Sequence, residues 1–170
     1  MRILAIETAT SVCGCALVEN GAIRREYSVE APQIHSEKIM GLIDKVLASS
    51  QMACTDVDAV AVSIGPGSFT GLRIGLSVAK GLSFAGEKPL IAVSTLEALA
   101  GHAVLRDLVT ADDLVLAAID ARRNEVFAAA YRTRTLEEVI APRAVTLSAL
   151  VHLLANDQNI EGLDVLQYFI

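Results

Sequence analysis

SIGPGSFTGLRIG, residues 63–75, follows an apolar run and leads into a long stretch of small residues. An apolar strand that runs into glycines and then a helix start has two physical readings. Backbone N–H groups at a helix N-terminus can hold an anion, or the glycines can supply a tight strand-to-helix turn that Pro66 stiffens. The spacing does not fit the known phosphate loops. Gly71 is followed by Leu72, no lysine comes before Lys80, and Gly65, Gly67 and Gly71 miss G-x-G-x-x-G by one residue. Both readings stay open, with Gly65 and Gly67 as the nucleotide-side candidates.

The helix that follows is expected over about 70–85. Gly71, Gly75 and Ala79 recur every four residues, and so do Ser77, Gly81 and Ala85. Each glycine inside a helix costs up to about 1 kcal/mol relative to alanine, so close approach by a neighbouring backbone is the expected compensation. Upstream, residues 2–7 and 12–18 read as strands around a Thr8–Ser11 turn. Asn20-Gly21 signals a two-residue hairpin into a strand over 22–29. Ile34, Ile39, Leu42, Ile43, Val46 and Leu47 repeat at helical spacing within a helix over 33–48. Val57–Ile64 and Leu90–Val93 read as buried strands. Ser94 and Glu97 have capping-box spacing ahead of a helix running to about Leu108.

The strand–acid–turn–strand pattern occurs twice. Ile6-Glu7-Thr8-Ala9 precedes the strand Val12–Val18, and Ile119-Asp120-Ala121-Arg122 precedes the strand Glu125–Tyr131. A last helix is expected over Thr146–Ala155. Two related α/β lobes follow from this, one over residues 1–108 and the other over 109–170. The second lacks a counterpart of the glycine turn and the helix after it.

Composition narrows the function. The chain has 170 residues, is 53% hydrophobic and 20% charged, and carries a formal charge of −6. It can bury a core, but it lacks the cationic footprint of a protein that grips nucleic acid on its own. No apolar run reaches the roughly 18 residues that a membrane span needs. The first residues lack the pattern of a signal peptide, so a cytoplasmic location is expected. Three cysteines, at 13, 15 and 54, argue for reduced thiols, and the spacing of Cys13 and Cys15 favours packing over metal binding. His35, His102 and His152 have no ligand-spaced partners, and His35 is expected on the surface. Ser68 and Thr70 lack a flanking base or elbow motif for nucleophilic catalysis. The cluster Asp120 to Glu125 allows either a solvated turn or a place where Arg122 and Arg123 meet phosphate.

Leu4-Ala5-Ile6-Glu7-Thr8, the segment Ser63–Arg73 and Asp120–Val126 together resemble the bacterial TsaB (YeaZ) family. The likeness runs from residue 1 to about 155, and GPGSFTGLR carries most of it. The resemblance implies an actin-like, sugar-kinase-like (ASKHA, ribonuclease H-like) fold with two related lobes, the second incomplete here. It also implies a non-catalytic subunit that serves in making threonylcarbamoyladenosine beside the anticodon of tRNAs reading A-starting codons. The implied partners are the catalytic paralogue TsaD and the ATPase TsaE, with a homodimer when the chain is alone. Contact with tRNA would be indirect, no cofactor is expected, and the membrane is excluded. The family's usual first acid is Asp, whereas this chain has Glu7. Where the paralogue carries the metal-binding H-x-x-x-H, this chain has Thr95 and Leu99, which lack imidazole nitrogens. The family's helix-bundle interface maps onto Ile39, Ile43, Leu47, Gly71, Leu72, Gly75, Leu76 and Ala79, unless that stripe is plain core. Glu7, Gly65, Gly67, Asp120 and Arg122 are the candidate nucleotide contacts of the alternative class, an actin-like ATPase or small-molecule kinase acting alone.

Overall fold

Alternating apolar residues make the first strands. In β1 (Arg2–Glu7) and β2 (Val12–Glu19), Leu4 pairs across from Leu17 and Ile6 from Cys15. One face of the antiparallel pair is therefore continuously apolar. Asn20 and Gly21, with φ of 53° and 83°, form the two-residue turn into β3 (Ala22–Glu30), as Asn-Gly predicts. β3 lies at the sheet edge, mostly exposed, and carries Arg24, Arg25 and Glu26. The structure is a computed structural model and describes residues 1–30, 34–106, 108–110 and 113–156.

Helix α1 (His35–Ser49) follows, then β4 (Ala59–Ser63), helix α2 (Phe69–Gly86) and β5 (Leu90–Val93). Position 33, the expected start of α1, lies outside the described residues. The sheet order is β3-β2-β1-β4-β5, with β4 parallel to both β1 and β5. Parallel neighbours need a crossover, which α1 and α2 provide. Leu4, Ile6, Cys13, Cys15 and Leu17 of the antiparallel pair and Val60 and Val62 of β4 pack with Ile39, Leu42, Ile43, Val46, Leu47 and Ala79. Each fully buried Leu, Ile or Val contributes about 1.5–3 kcal/mol.

The chain divides into two compact units, the first Met1–Val93 and the second beginning at Ser94. Helix α3 (Thr95–Leu105) belongs to the second. The sequence reading instead ended the first lobe at residue 108. The physical reason for the difference is the apolar face of α3: Leu96 and Ala100 cluster with Ala117 and Ile119 of β6 (Leu114–Arg122) and Ala129 and Tyr131 of β7 (Glu125–Arg132). Ser94 caps α3 by accepting the Glu97 N–H at 3.5 Å. Opposite, helix α4 (Leu147–Asn156) sets Leu150 against Val126 and Ala128. The second sheet, β6-β7-β8, is antiparallel throughout.

Strand β8 (Glu138–Thr146) was not anticipated from sequence. Pro142 breaks its pattern, and proline survives in a strand only at an edge or a bulge. Both conditions hold here. Among the described residues β8 is an edge strand, and Pro142 falls where the register slips between the pairs Ala128↔Arg143 and Ala130↔Ile140.

All three cysteines are free thiols, Cys13 and Cys15 buried and Cys54 partly so. Burial, helped by the neighbouring Cys13, pushes the Cys15 thiol up to about 12. Burial, then the Glu7 charge, raises Cys13 as well. Unfolded thiols ionise near about 8.5, so between that pH and about 12 the folded state keeps protons the unfolded chain loses. Stability therefore falls as pH rises through this window. In denaturant titrations, Cys15→Ala should lose less stability than the unsubstituted chain between pH 8 and pH 10. A thiol reagent at pH 8 should label Cys54 in the folded protein, and Cys13 and Cys15 only after unfolding.

Candidate functional site at the β1–β2 turn

The strongest polar convergence in the first unit lies where β1 and β4 end. Glu7 closes β1, and one of its carboxylate oxygens accepts the Ala9 N–H at 2.5 Å. The other accepts the hydroxyl of Ser63, the last residue of β4. Thr8 is fully buried and donates its hydroxyl to the Gly71 carbonyl at 2.8 Å. The Ala9 carbonyl accepts the Ser68 N–H at 2.7 Å. His35 Nε2 lies 3.0 Å from the Thr10 carbonyl. Every residue from Glu7 to Thr10 is thus tied to another element or to the turn itself.

This arrangement answers the question posed by SIGPGSFTGLRIG. Ser68 is the N-cap of α2, accepting the Gly71 N–H at 3.2 Å. Gly71 and Gly75 are buried, and a Cβ on either would collide with Thr8: with its carbonyl oxygen from Gly71 and its hydroxyl from Gly75. The glycines let the helix backbone settle directly on the β1–β2 turn. Of the candidate nucleotide residues, Glu7 and Gly67 both meet Ala9, and Gly65 faces the Leu72 side chain. The turn is packed by the chain's own groups, and the charged group at its centre is a carboxylate, which disfavours phosphate.

Other expected positions belong to the second unit or to α1. Asp120 and Arg122 are exposed at the β6–β7 turn of the second unit, where Asp120 accepts the Arg122 N–H at 2.7 Å. Arg122, Arg123 and Asn124 all have positive φ, between 53° and 67°. His35, expected on the surface, is buried at 6% exposure because its ring turns inward to reach Thr10. His102 is exposed and accepts from Arg106 Nε at 3.1 Å. Thr95 is buried with its hydroxyl unpartnered, and Leu99 packs in the second unit's core. Among the described residues, no three His, Cys, Asp or Glu side chains gather closely enough to hold a metal.

The expected interface stripe needs correction. Ile39, Ile43, Leu47 and Ala79 are core, and Leu76 packs against that core. Gly71 and Gly75 are buried on Thr8, and Leu72 is half-buried with its methyl toward Gly65. The cause is ordinary amphipathicity: the most apolar face of each helix goes to the sheet. The second small-residue series behaves differently. Ser77, Gly81 and Ala85 are exposed, and a Cβ on Gly81 or on Gly41 of α1 would meet nothing within 4 Å. Met40 and Phe84 are exposed large apolar residues on these two helices. Phe69, 67% exposed, carries the Arg73 guanidinium 3.8 Å above its ring. The i, i+4 spacing of both glycine series was legible in sequence, but which one faced the sheet was not.

Two glycines of one helix should therefore respond oppositely to alanine. Gly75→Ala should destabilise by about 1–3 kcal/mol through overpacking on Thr8. Gly81→Ala should stabilise by up to about 1 kcal/mol through helix propensity alone. Chemical denaturation of the two variants beside the unsubstituted chain checks both signs.

Comparison with known proteins extends this picture. The family described as "TsaD: tRNA N6-adenosine threonylcarbamoyltransferase" matches residues 29–165. The Escherichia coli protein named tRNA threonylcarbamoyladenosine biosynthesis protein TsaB is 43% identical over 132 residues, covering 78% of this chain and 55% of that protein. The structure of YeaZ from Pseudomonas aeruginosa superposes with a TM-score of 0.74 at 34% identity, covering 85% of this chain and 66% of that one. Lmo2764 from Listeria monocytogenes, proposed to be an N-acetylmannosamine kinase, shares the fold at a TM-score of 0.50 and 21% identity, covering 82% of this chain and 49% of that one. The fold is therefore of the actin-like, sugar-kinase-like type. The chain spans about half to two-thirds of the length of the curated TsaB proteins it matches. With the family match across most of its length, and with TsaB and YeaZ proteins as its relatives in sequence and structure, the chain belongs to the TsaB (YeaZ) family.

Proposed function

We propose that the chain acts as a partner subunit in forming threonylcarbamoyladenosine on tRNA, supporting the catalytic paralogue TsaD rather than carrying out the transfer itself. The observation that carries this reading is the pair of outward glycines, Gly41 and Gly81, with nothing packed on them. A helix-interior glycine costs up to about 1 kcal/mol relative to alanine. Gly71 and Gly75 recover that cost through Thr8, but among the described residues Gly41 and Gly81 have no such compensation. An approaching helix of a partner would supply it, since small residues let helix backbones come close. Met40 and Phe84 add exposed apolar area on the same helices, and the compositional marks of an interface core are such apolar side chains.

The docking surface in this reading is the outer face of α1 and α2: Met40, Gly41, Ser77, Gly81, Phe84 and Ala85. TsaD occupies it in the complex, and a second copy of the chain occupies it when TsaD is absent, as a self-complementary two-fold contact allows. TsaE joins as the ATPase, and tRNA is reached through the complex, consistent with the net charge of −6. The chain supplies shape, with no cofactor of its own. Among the described residues, no helix is long and apolar enough to cross a membrane.

Gly81→Leu is the direct test. Its side chain enters open space, so the fold should persist, while the bulk holds the partner helix away. Light scattering after size exclusion should show the 1:1 complex with TsaD for the unsubstituted chain and its loss for Gly81→Leu. A full complex with the variant would overturn the assigned surface.

The alternative reading, an ATPase or kinase acting alone, requires the purified chain to bind ATP–Mg²⁺. Calorimetry at millimolar ATP should give no binding heat. A clear isotherm that Glu7→Gln abolishes would favour the alternative.

A further inference from the structure

Helices α1 and α2 pack on one face of the first sheet, where both join the core built on Leu4, Ile6, Val60 and Val62. Each returns the chain between parallel strands, α1 from β3 to β4 and α2 from β4 to β5, so the two helices run in the same direction. Their outward charges differ in sign. Over its whole length α2 carries two charged residues, Arg73 and Lys80, both exposed. The side of α1 opposite its buried Ile39, Ile43 and Val46 carries Glu37 and Asp44, with the exposed Met40 and Gly41 between them. The lysines of α1 stand apart from these acids. Lys45 lies 4.1 Å over the ring of Tyr27 on β3, and Lys38, two turns earlier, shares that flank.

Spacing matches as well as sign. Glu37 and Asp44 are seven residues apart, as are Arg73 and Lys80, which is two helical turns or about 10.5 Å on one face. Glu37 is the third residue of α1 and Arg73 the fifth of α2, an offset that long arginine and lysine side chains span. Among the described residues, Glu37, Asp44 and Lys80 form no ion pair. A second copy can face this surface about either of two axes in its plane. An axis across the helices sets α2 on the mate's α2, cation against cation. An axis along the helices sets α1 on the mate's α2, acid against cation at both levels, and symmetry repeats each pair.

We propose that a second copy of this chain docks with α1 against the mate's α2, Glu37 and Asp44 of each copy meeting Arg73 and Lys80 of the other. This pairing rests on the reading of the outer face of α1 and α2 as the docking surface, and adds what selects the orientation of its occupant. Met40 and Phe84 bring apolar area to the contact, while the charged groups fix the register and disfavour the like-charged arrangement.

Sedimentation equilibrium on the whole chain tests the pairing. Lys80→Glu and Asp44→Lys each put like charges across the contact and should raise the dimer dissociation constant about tenfold. The double variant Asp44→Lys/Lys80→Glu restores the pairs with signs exchanged, and should return the constant to within about threefold of the unsubstituted value. These positions are exposed, so the fold should persist, and Glu37→Lys with Arg73→Glu repeats the cycle at the other level. Single reversals that leave the constant unchanged would overturn the proposal, as would a double variant no better than either single one. A tighter dimer for Lys80→Glu would assign the axis across the helices and also overturn it. A chain that stays monomeric at millimolar concentration would overturn it too, while the complex with TsaD, read by light scattering, keeps its own test.

Discussion

Thr8 decides where helix α2 can lie. Its hydroxyl holds the Gly71 carbonyl, and its backbone occupies the space that side chains at 71 and 75 would need. A buried hydroxyl must find an acceptor or cost about 1–3 kcal/mol, so the contact fixes both the position and the rotation of the helix. From that rotation follow the burial of Ala79 and the exposure of Ser77, Gly81 and Ala85. It also closes the β1–β2 turn against the glycine-rich segment, through Ser68 on Ala9 and Glu7 on Ser63.

The same packing bears on function. A turn whose carbonyls and central carboxylate are committed to the chain's own groups is a poor cradle for phosphate, while the far side of the helix is open. The glycines of α2 therefore serve two separate ends. One series joins the helix to the sheet, and the other stands on the surface. This division is what supports reading the chain as a binding subunit.

Much of the first unit was legible in the sequence, because its signals are local. Asn20-Gly21 specifies a two-residue turn, Ser94 and Glu97 specify a cap, and the period of Ile39, Ile43 and Val46 specifies a helix. What escaped depends on tertiary context. Helical spacing locates an apolar stripe without saying whether sheet or partner covers it, so core residues were assigned to an interface. His35 has the sequence setting of a surface residue and is buried because a carbonyl from the β1–β2 turn reaches it. Strand β8 was hidden by Pro142, which its edge position and the register slip beside it make tolerable. The unit boundary was misplaced because α3 follows β5 directly, and its attachment to β6 and β7 becomes visible only when the apolar faces are matched.

Helix α2 has a low intrinsic tendency to form, since its glycines favour the unfolded chain. Its order depends on Thr8, which stands 63 positions before its acceptor at Gly71. Contacts that distant in sequence form late, because loop closure must precede them. A copy still leaving the ribosome, or one with a misplaced first hairpin, would therefore hold no well-formed outer helix face.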